Sequence, residues 1–101
     1  MATIIRWTEQ SANDLELIFN FISRDSEHYA TLFIKEIFKT VERLESFPES
    51  GRVVPEFNTK TVREIILGNY RIIYRLNKEA ADILTIHHSS QLFRSNLSDF
   101  E

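Results

Sequence analysis

The hydrophobic period changes once along this chain, and the change falls where three of its four glycines and prolines lie. Before Pro48-Glu49-Ser50-Gly51-Arg52-Val53-Val54-Pro55, apolar residues recur at three and four; after it they recur at two. A helical half followed by a strand half must pack helices on a sheet, because each element has one apolar side to hide. Ala12, Leu15, Ile18, Phe19 and Ile22 predict a first helix, capped by Thr8 and ending near Arg24. Ala30, Phe33, Ile34, Ile37, Phe38, Val41, Leu44 and Phe47 predict a second, capped by Asp25 or Ser26. Glu36, Lys39, Glu42, Arg43 and Glu45 cover its outside. So short a connection folds the two back as a hairpin.

The strand signals are as local. Residues 3–7 (Thr-Ile-Ile-Arg-Trp) read as a short strand. Residues 62–67 and 70–76 read as a β-hairpin around Gly68-Asn69, glycine supplying positive φ. In the second of these strands, Tyr70, Ile72, Tyr74 and Leu76 share one face; Arg71, Ile73 and Arg75 share the other. A looser turn at 77–81 leads to a strand at 82–87, and the tail 89–101 offers Leu92, Phe93, Leu97 and Phe100 to a short docked helix. The expected fold is α+β: an N-terminal strand and an antiparallel helical hairpin on one face of a small, curved, mainly antiparallel sheet. The other face should stay partly open and show arginines.

The 101 residues suit one domain, 1–101. With 43% hydrophobic and 27% charged residues the chain is of ordinary globular composition. The absence of cysteine excludes disulfides, thiolate metal sites and a cysteine nucleophile. No apolar run reaches the ~18 residues of a membrane span, and the first residues lack a signal-peptide layout, so a cytoplasmic location is expected. Net charge is −3, with nine acidic and five basic groups in residues 1–50. Residues 51–76 are basic, with Arg52, Lys60, Arg63, Arg71 and Arg75 against Glu56 and Glu64. An acidic chain is poorly equipped for non-specific nucleic-acid binding, although a basic patch can hold a phosphate or an acidic partner.

Three groups of residues could carry chemistry. Arg71 and Arg75 could grip an anion, or form ion pairs with a group such as Glu64. Adjacent His87 and His88 point to opposite faces, so they cannot chelate one metal; the one on the open face could be an acid or base. Glu56 could be a base, or pair with an arginine. No phosphate loop, zinc helix, serine triad or calcium loop is present.

Three blocks together resemble the RelE/ParE superfamily of toxins from bacterial type II toxin–antitoxin systems. They are Ile5-Arg6-Trp7-Thr8 with Ala12, Asp14-Leu15, Ile18 and Phe21-Ile22; Phe47 through Glu56; and Arg63-Glu64-Ile65-Ile66, Tyr70 through Arg75 and Ile83 through His88. The resemblance spans roughly 4–93. It implies the same fold and a cognate antitoxin whose C-terminal segment wraps the toxin, as a helix or an added strand in a groove between helices and sheet. Exposed residues of the helical hairpin and the C-terminal tail, including Leu92 and Phe93, are expected on that surface. It implies operator DNA only through the antitoxin, and no cofactor, metal or membrane.

The resemblance implies two targets. RelE-like members cleave messenger RNA in the ribosomal A site, as metal-independent endoribonucleases. In that case Glu56 would be the base, Arg71 the phosphate stabiliser and His88 the acid, with His87 or Ser89 as alternatives. ParE-like members inhibit DNA gyrase. Arg52, Arg63 and Arg75 are the candidates for contact with the target or a phosphate. Val53 and Val54 stand where RelE has lysines, and the chain is acidic; both tilt the expectation slightly to a ParE-like inhibitor. A third alternative is a toxin fold that has lost activity and serves autoregulation.

Overall fold

The computed structural model describes residues 2–89. Elements run β1 (Ile4–Trp7), α1 (Glu9–Ser23), α2 (Glu27–Glu42), a 3₁₀ turn (Arg43–Glu45), β2 (Arg52–Val53), β3 (Val62–Leu67), β4 (Tyr70–Asn77) and β5 (Ala80–His88). The sheet order is β1-β5-β4-β3-β2; β1 is parallel to β5 and every other pair is antiparallel. This is the expected α+β architecture, with β2 added at the far edge. Two residues are too few to show a period, so β2 has no signal in the sequence. The expected tail helix, with Leu92 and Phe93, lies outside the described residues. No helix among the described residues is long and apolar enough to cross a membrane.

Each helix starts on a hydroxyl cap. Thr8 accepts from the Ser11 N–H at 3.1 Å, and Ser26 from the Tyr29 N–H at 3.1 Å. The Thr8 hydroxyl also donates to the Ile83 carbonyl at 2.6 Å, fastening the start of α1 to β5. Further along, Asp14 accepts from the Thr85 hydroxyl at 2.5 Å and the Ile86 N–H at 3.0 Å. Beyond Trp7, β5 has no strand on that side among the described residues, and the Asp14 carboxylate there takes up a backbone donor. The second helix ends at Glu42 rather than running to Phe47, and its last turn tightens to the 3₁₀ form.

One core lies between the helices and the sheet, built from Ile18, Ile37, Val41, Leu44, Ile72, Tyr74, Ala81, Ile83 and Ile86. Burying each of its larger side chains is worth about 1.5–3 kcal/mol. Several residues expected there are not in it: Ala12 is exposed, Phe38 is 47% exposed, and Phe47, past the end of the helix, is 67% exposed. The opposite sheet face has a second, smaller core of Val54, Val62, Ile73 and Leu84, closed by Phe57. That face is therefore partly covered by the 54–61 segment, which the sequence did not reveal.

A bulge decides how β5 presents its side chains. Ile73 pairs with Thr85 but Tyr74 pairs with Ile83, leaving Leu84 as the extra residue. Ile83 and Ile86 consequently both enter the helix-side core, which strict alternation forbids.

Gly51 is required by close approach. A Cβ there would fall 2.6 Å from the Tyr74 hydroxyl oxygen and 2.7 Å from the Glu64 carbonyl oxygen. The buried Tyr74 hydroxyl donates to the Pro48 carbonyl at 2.7 Å and accepts the Gly51 N–H at 3.0 Å. Tyr74 thus ties the 47–51 loop to the central strand.

Candidate functional site

The side chains most able to carry chemistry meet on the sheet face away from the helices. Arg71 stands on central β4, with Ile66 of β3 and His87 of β5 as its cross-strand partners. Its Nη1 and Nη2 donate to the two Glu56 carboxylate oxygens at 2.7 and 2.8 Å, a bidentate fork. Its Nε donates to Glu64 Oε1 at 2.5 Å, and Arg52 Nε donates to Glu64 Oε2 at 2.5 Å. The result is an alternating ladder, Glu56–Arg71–Glu64–Arg52, whose charges cancel. The sequence prepares this locally. Val62, Glu64 and Ile66 share one strand face, and the register sets them opposite Arg75, Ile73 and Arg71.

Glu56 reaches Arg71 from the turn 54–57. Both the Phe57 and Asn58 N–H groups donate to the Val54 carbonyl, at 3.2 and 2.9 Å. Val54, fully buried, anchors the turn, and Asn58 takes left-handed φ of 49° to leave it. The fork from Arg71 holds the Glu56 carboxyl down to about 2, with the nearby charge of His87 a smaller contribution in the same direction. The pair raises Arg71 in turn, Glu56 being the larger influence. A carboxylate held that low is a weak base, and an arginine so engaged must release a partner before it can hold a phosphate.

The two histidines separate. His88 lies on the helix side, edge-on to the Tyr70 ring at 5.0 Å between centroids. His87 lies beside Arg71 and close enough to Glu56 to act on its charge. The open-face histidine is therefore His87, and Glu56, Arg71 and His88 do not form one constellation. The physical reason is the Leu84 bulge: counting by twos from Ile83 sends His88 outward, and one inserted residue exchanges the pair.

The other candidate cations are committed elsewhere. Arg52 bonds Glu64, and Arg63 braces the loop through the carbonyls of Glu49, Gly51 and Lys60 at 3.2, 2.9 and 3.0 Å. Arg75 sits across from Asp82, which itself holds Arg6 through bonds of 2.6 and 3.1 Å. Glu64, named by the sequence only as a potential ion-pair partner, is the buried centre of the site. Its placement between Val62 and Ile66 was the available signal.

A second feature lies on the helix side. Asp14, Leu17, Ile18, Phe21, Tyr70, Ile86 and His88 line a recess of about 260 Å³ between α1 and the sheet. Leu17 and Phe21, one helical turn apart, are 66% and 62% exposed at its rim.

Acid should test the Glu56 fork. Its folded value lies below the ordinary carboxyl value, so the stabilisation is present above about pH 4.5 and lost as pH falls toward 2. Glu56 is 34% exposed, so solvent screening leaves about 1 kcal/mol. Glu56→Gln should flatten the acid limb of a stability–pH curve by that amount. An unchanged acid limb would count against the pairing.

Comparison with known proteins places the chain among toxins. Residues 5–93 match the family described as ParE toxin of type II toxin-antitoxin system, parDE. A Sinorhizobium fredii protein named "Putative toxin Y4kP" is 33% identical over 89 residues, covering 86% of this chain and 88% of that one. A solved structure titled as a chromosomal ParDE toxin–antitoxin system from P. aeruginosa superposes with a TM-score of 0.72 at 21% identity, covering 86% of this chain and 96% of that one. The toxin–antitoxin complex RelBE2 from Mycobacterium tuberculosis gives 0.63 at 17% identity, covering 87% and 99%. The two structural likenesses concern the fold.

Proposed function

This chain belongs to the ParE toxin family of type II toxin–antitoxin systems, and from that premise we propose that it arrests growth by binding a protein target, DNA gyrase, as ParE-like toxins do. The observation that supports this reading over cleavage of RNA is the closed ion ladder. Glu56 is held near 2 and both its oxygens are occupied by Arg71, so neither residue stands ready for acid–base work. The chain's net charge of −3 also suits a protein surface better than ribosomal RNA.

One observation favours a second reading. Glu56, Arg71 and His87 do converge, and a substrate phosphate could displace Glu56 from Arg71 and release a base. A ribosome-dependent endoribonuclease would then use His87 where the sequence pointed to His88.

We further propose that the cognate antitoxin lays an amphipathic segment into the recess between α1 and β5, against Leu17, Phe21 and Tyr70. A recess between helix and sheet is the kind of groove that would accept such a segment.

Inducing the chain without its antitoxin tests the target. The expected result is growth arrest with an SOS response and unbroken transcripts, and with purified gyrase, blocked supercoiling. New mRNA 5′ ends within translated codons would overturn the gyrase reading in favour of the nuclease. Normal growth would identify an inactive fold.

A further inference from the structure

The start of α1 takes the place of a strand along one edge of β5. Among the described residues, β1 ends at Trp7, opposite Ile83, while β5 runs on to His88. Side chains from α1 and its cap engage the backbone beyond that point. The Thr8 hydroxyl donates to the Ile83 carbonyl at 2.6 Å and reaches the Leu84 carbonyl at 3.1 Å. One Asp14 oxygen, Oδ2, accepts both the buried Thr85 hydroxyl at 2.5 Å and the Ile86 N–H at 3.0 Å. The other, Oδ1, accepts the Gln10 side-chain amide at 2.9 Å. An uncovered strand edge is a template for another chain, and a charged side chain turned onto it removes that template. Past Ile86 only His87 and His88 are left in β5, and strands usually need at least about three residues.

Farther along α1 the same stripe changes chemistry. Gln10, Asp14, Leu17 and Phe21 follow one another at four, three and four, so they share one side of the helix. Gln10 and Asp14 carry the bonds just described. Leu17 and Phe21 are exposed at the rim of the recess, with Ile18, Tyr70 and Ile86 in its walls. An apolar ridge beside a groove is what the apolar face of a second helix packs against. The strand edge is thus closed where the helix ridge is open.

We infer that Asp14 closes the β5 edge to strand addition, and that the recess therefore receives the antitoxin segment as an amphipathic helix packed along Leu17 and Phe21. This rests on the reading that the recess is the antitoxin's. It chooses between the two modes, helix and added strand, that the family resemblance leaves open.

The first arm of the test uses the toxin alone. Asp14→Ala removes the acceptor, so the Ile86 amide should exchange at least about ten-fold faster while the other core amides of β4 and β5 hold. Self-association through the opened edge should rise with it. Asp14→Asn keeps one oxygen for both donors and should return the Ile86 amide to within about three-fold of wild type. In the wild-type chain, a through-hydrogen-bond coupling from the Ile86 nitrogen to the Asp14 carboxyl carbon reads the same contact without any variant. Absence of that coupling, or an Ile86 amide no faster in folded Asp14→Ala, overturns the edge assignment. The second arm uses the complex with the expected antitoxin, the product of the adjoining reading frame, isotope-labelled and bound to unlabelled full-length toxin. Its segment in contact with Leu17 and Phe21 should give helical backbone chemical shifts, with the Asp14–Ile86 bond retained. Strand shifts with loss of that bond overturn the proposal. If no antitoxin residue contacts Leu17 or Phe21, the recess belongs to a second copy or to residues 90–101, and the antitoxin reading fails. The Ile86 amide then still decides whether Asp14 closes the edge.

Discussion

Replacing Glu64 with alanine should cost this fold about 3–5 kcal/mol, the usual loss when one member of a buried ion pair is removed. The Glu64 side chain is fully buried, and both its oxygens hold guanidinium groups. Arg71, with a side chain 12% exposed, keeps Glu56 but loses the partner of its Nε deep in the sheet. In a domain of this size such a loss lowers the melting temperature by more than about 10 °C. Arg52→Ala is the control. Arg52 bonds the same carboxylate from a side chain 65% exposed, and its removal should cost less than about 1 kcal/mol. Urea unfolding of both variants measures the difference. Equal effects would mean that the ladder is a surface network and that Glu64 is not its centre.

Leu84→Ala comes next in expected size, at about 2–5 kcal/mol. Leu84 is the bulged residue of β5 and is fully buried against Val54, Val62, Ile73 and Phe57. That second core has few members, so little is left to fill the void. It is also what seats the 54–61 segment, and with it Glu56. The variant should speed amide exchange in 54–61 and let the Glu56 carboxyl rise from about 2 toward its ordinary value, followed by NMR titration. If the titration stays put while stability falls, Arg71 alone positions Glu56.

These two residues show where the sequence was sufficient and where it was not. The caps at Thr8 and Ser26, the helix at 9–23, the turn at Gly68 and the strands of the 62–77 hairpin were all legible. So was the pairing of Arg71 with Glu64, and of Glu56 with an arginine, among the alternatives. Phe47 completes a helical series in the sequence but lies outside the core, because the helix stops at Glu42 and the chain turns at Pro48. Pro48 already disfavours a helix at Phe47, but the groups that hold the loop, Tyr74 and Arg63, come from elsewhere in the chain.

The sequence by itself determined the order of the two helices and the four longer strands and the α+β class, because periodicity, caps and turns depend on neighbours a few residues apart; its motif blocks carried the family resemblance. The tertiary structure decided which charged groups meet and which faces they occupy. One inserted residue at Leu84 exchanges the sides of His87 and His88, and the register of β3 on β4 puts Glu64 beneath Arg71. Both are consequences of strand pairing between distant segments, where a shift of one residue reverses every side chain.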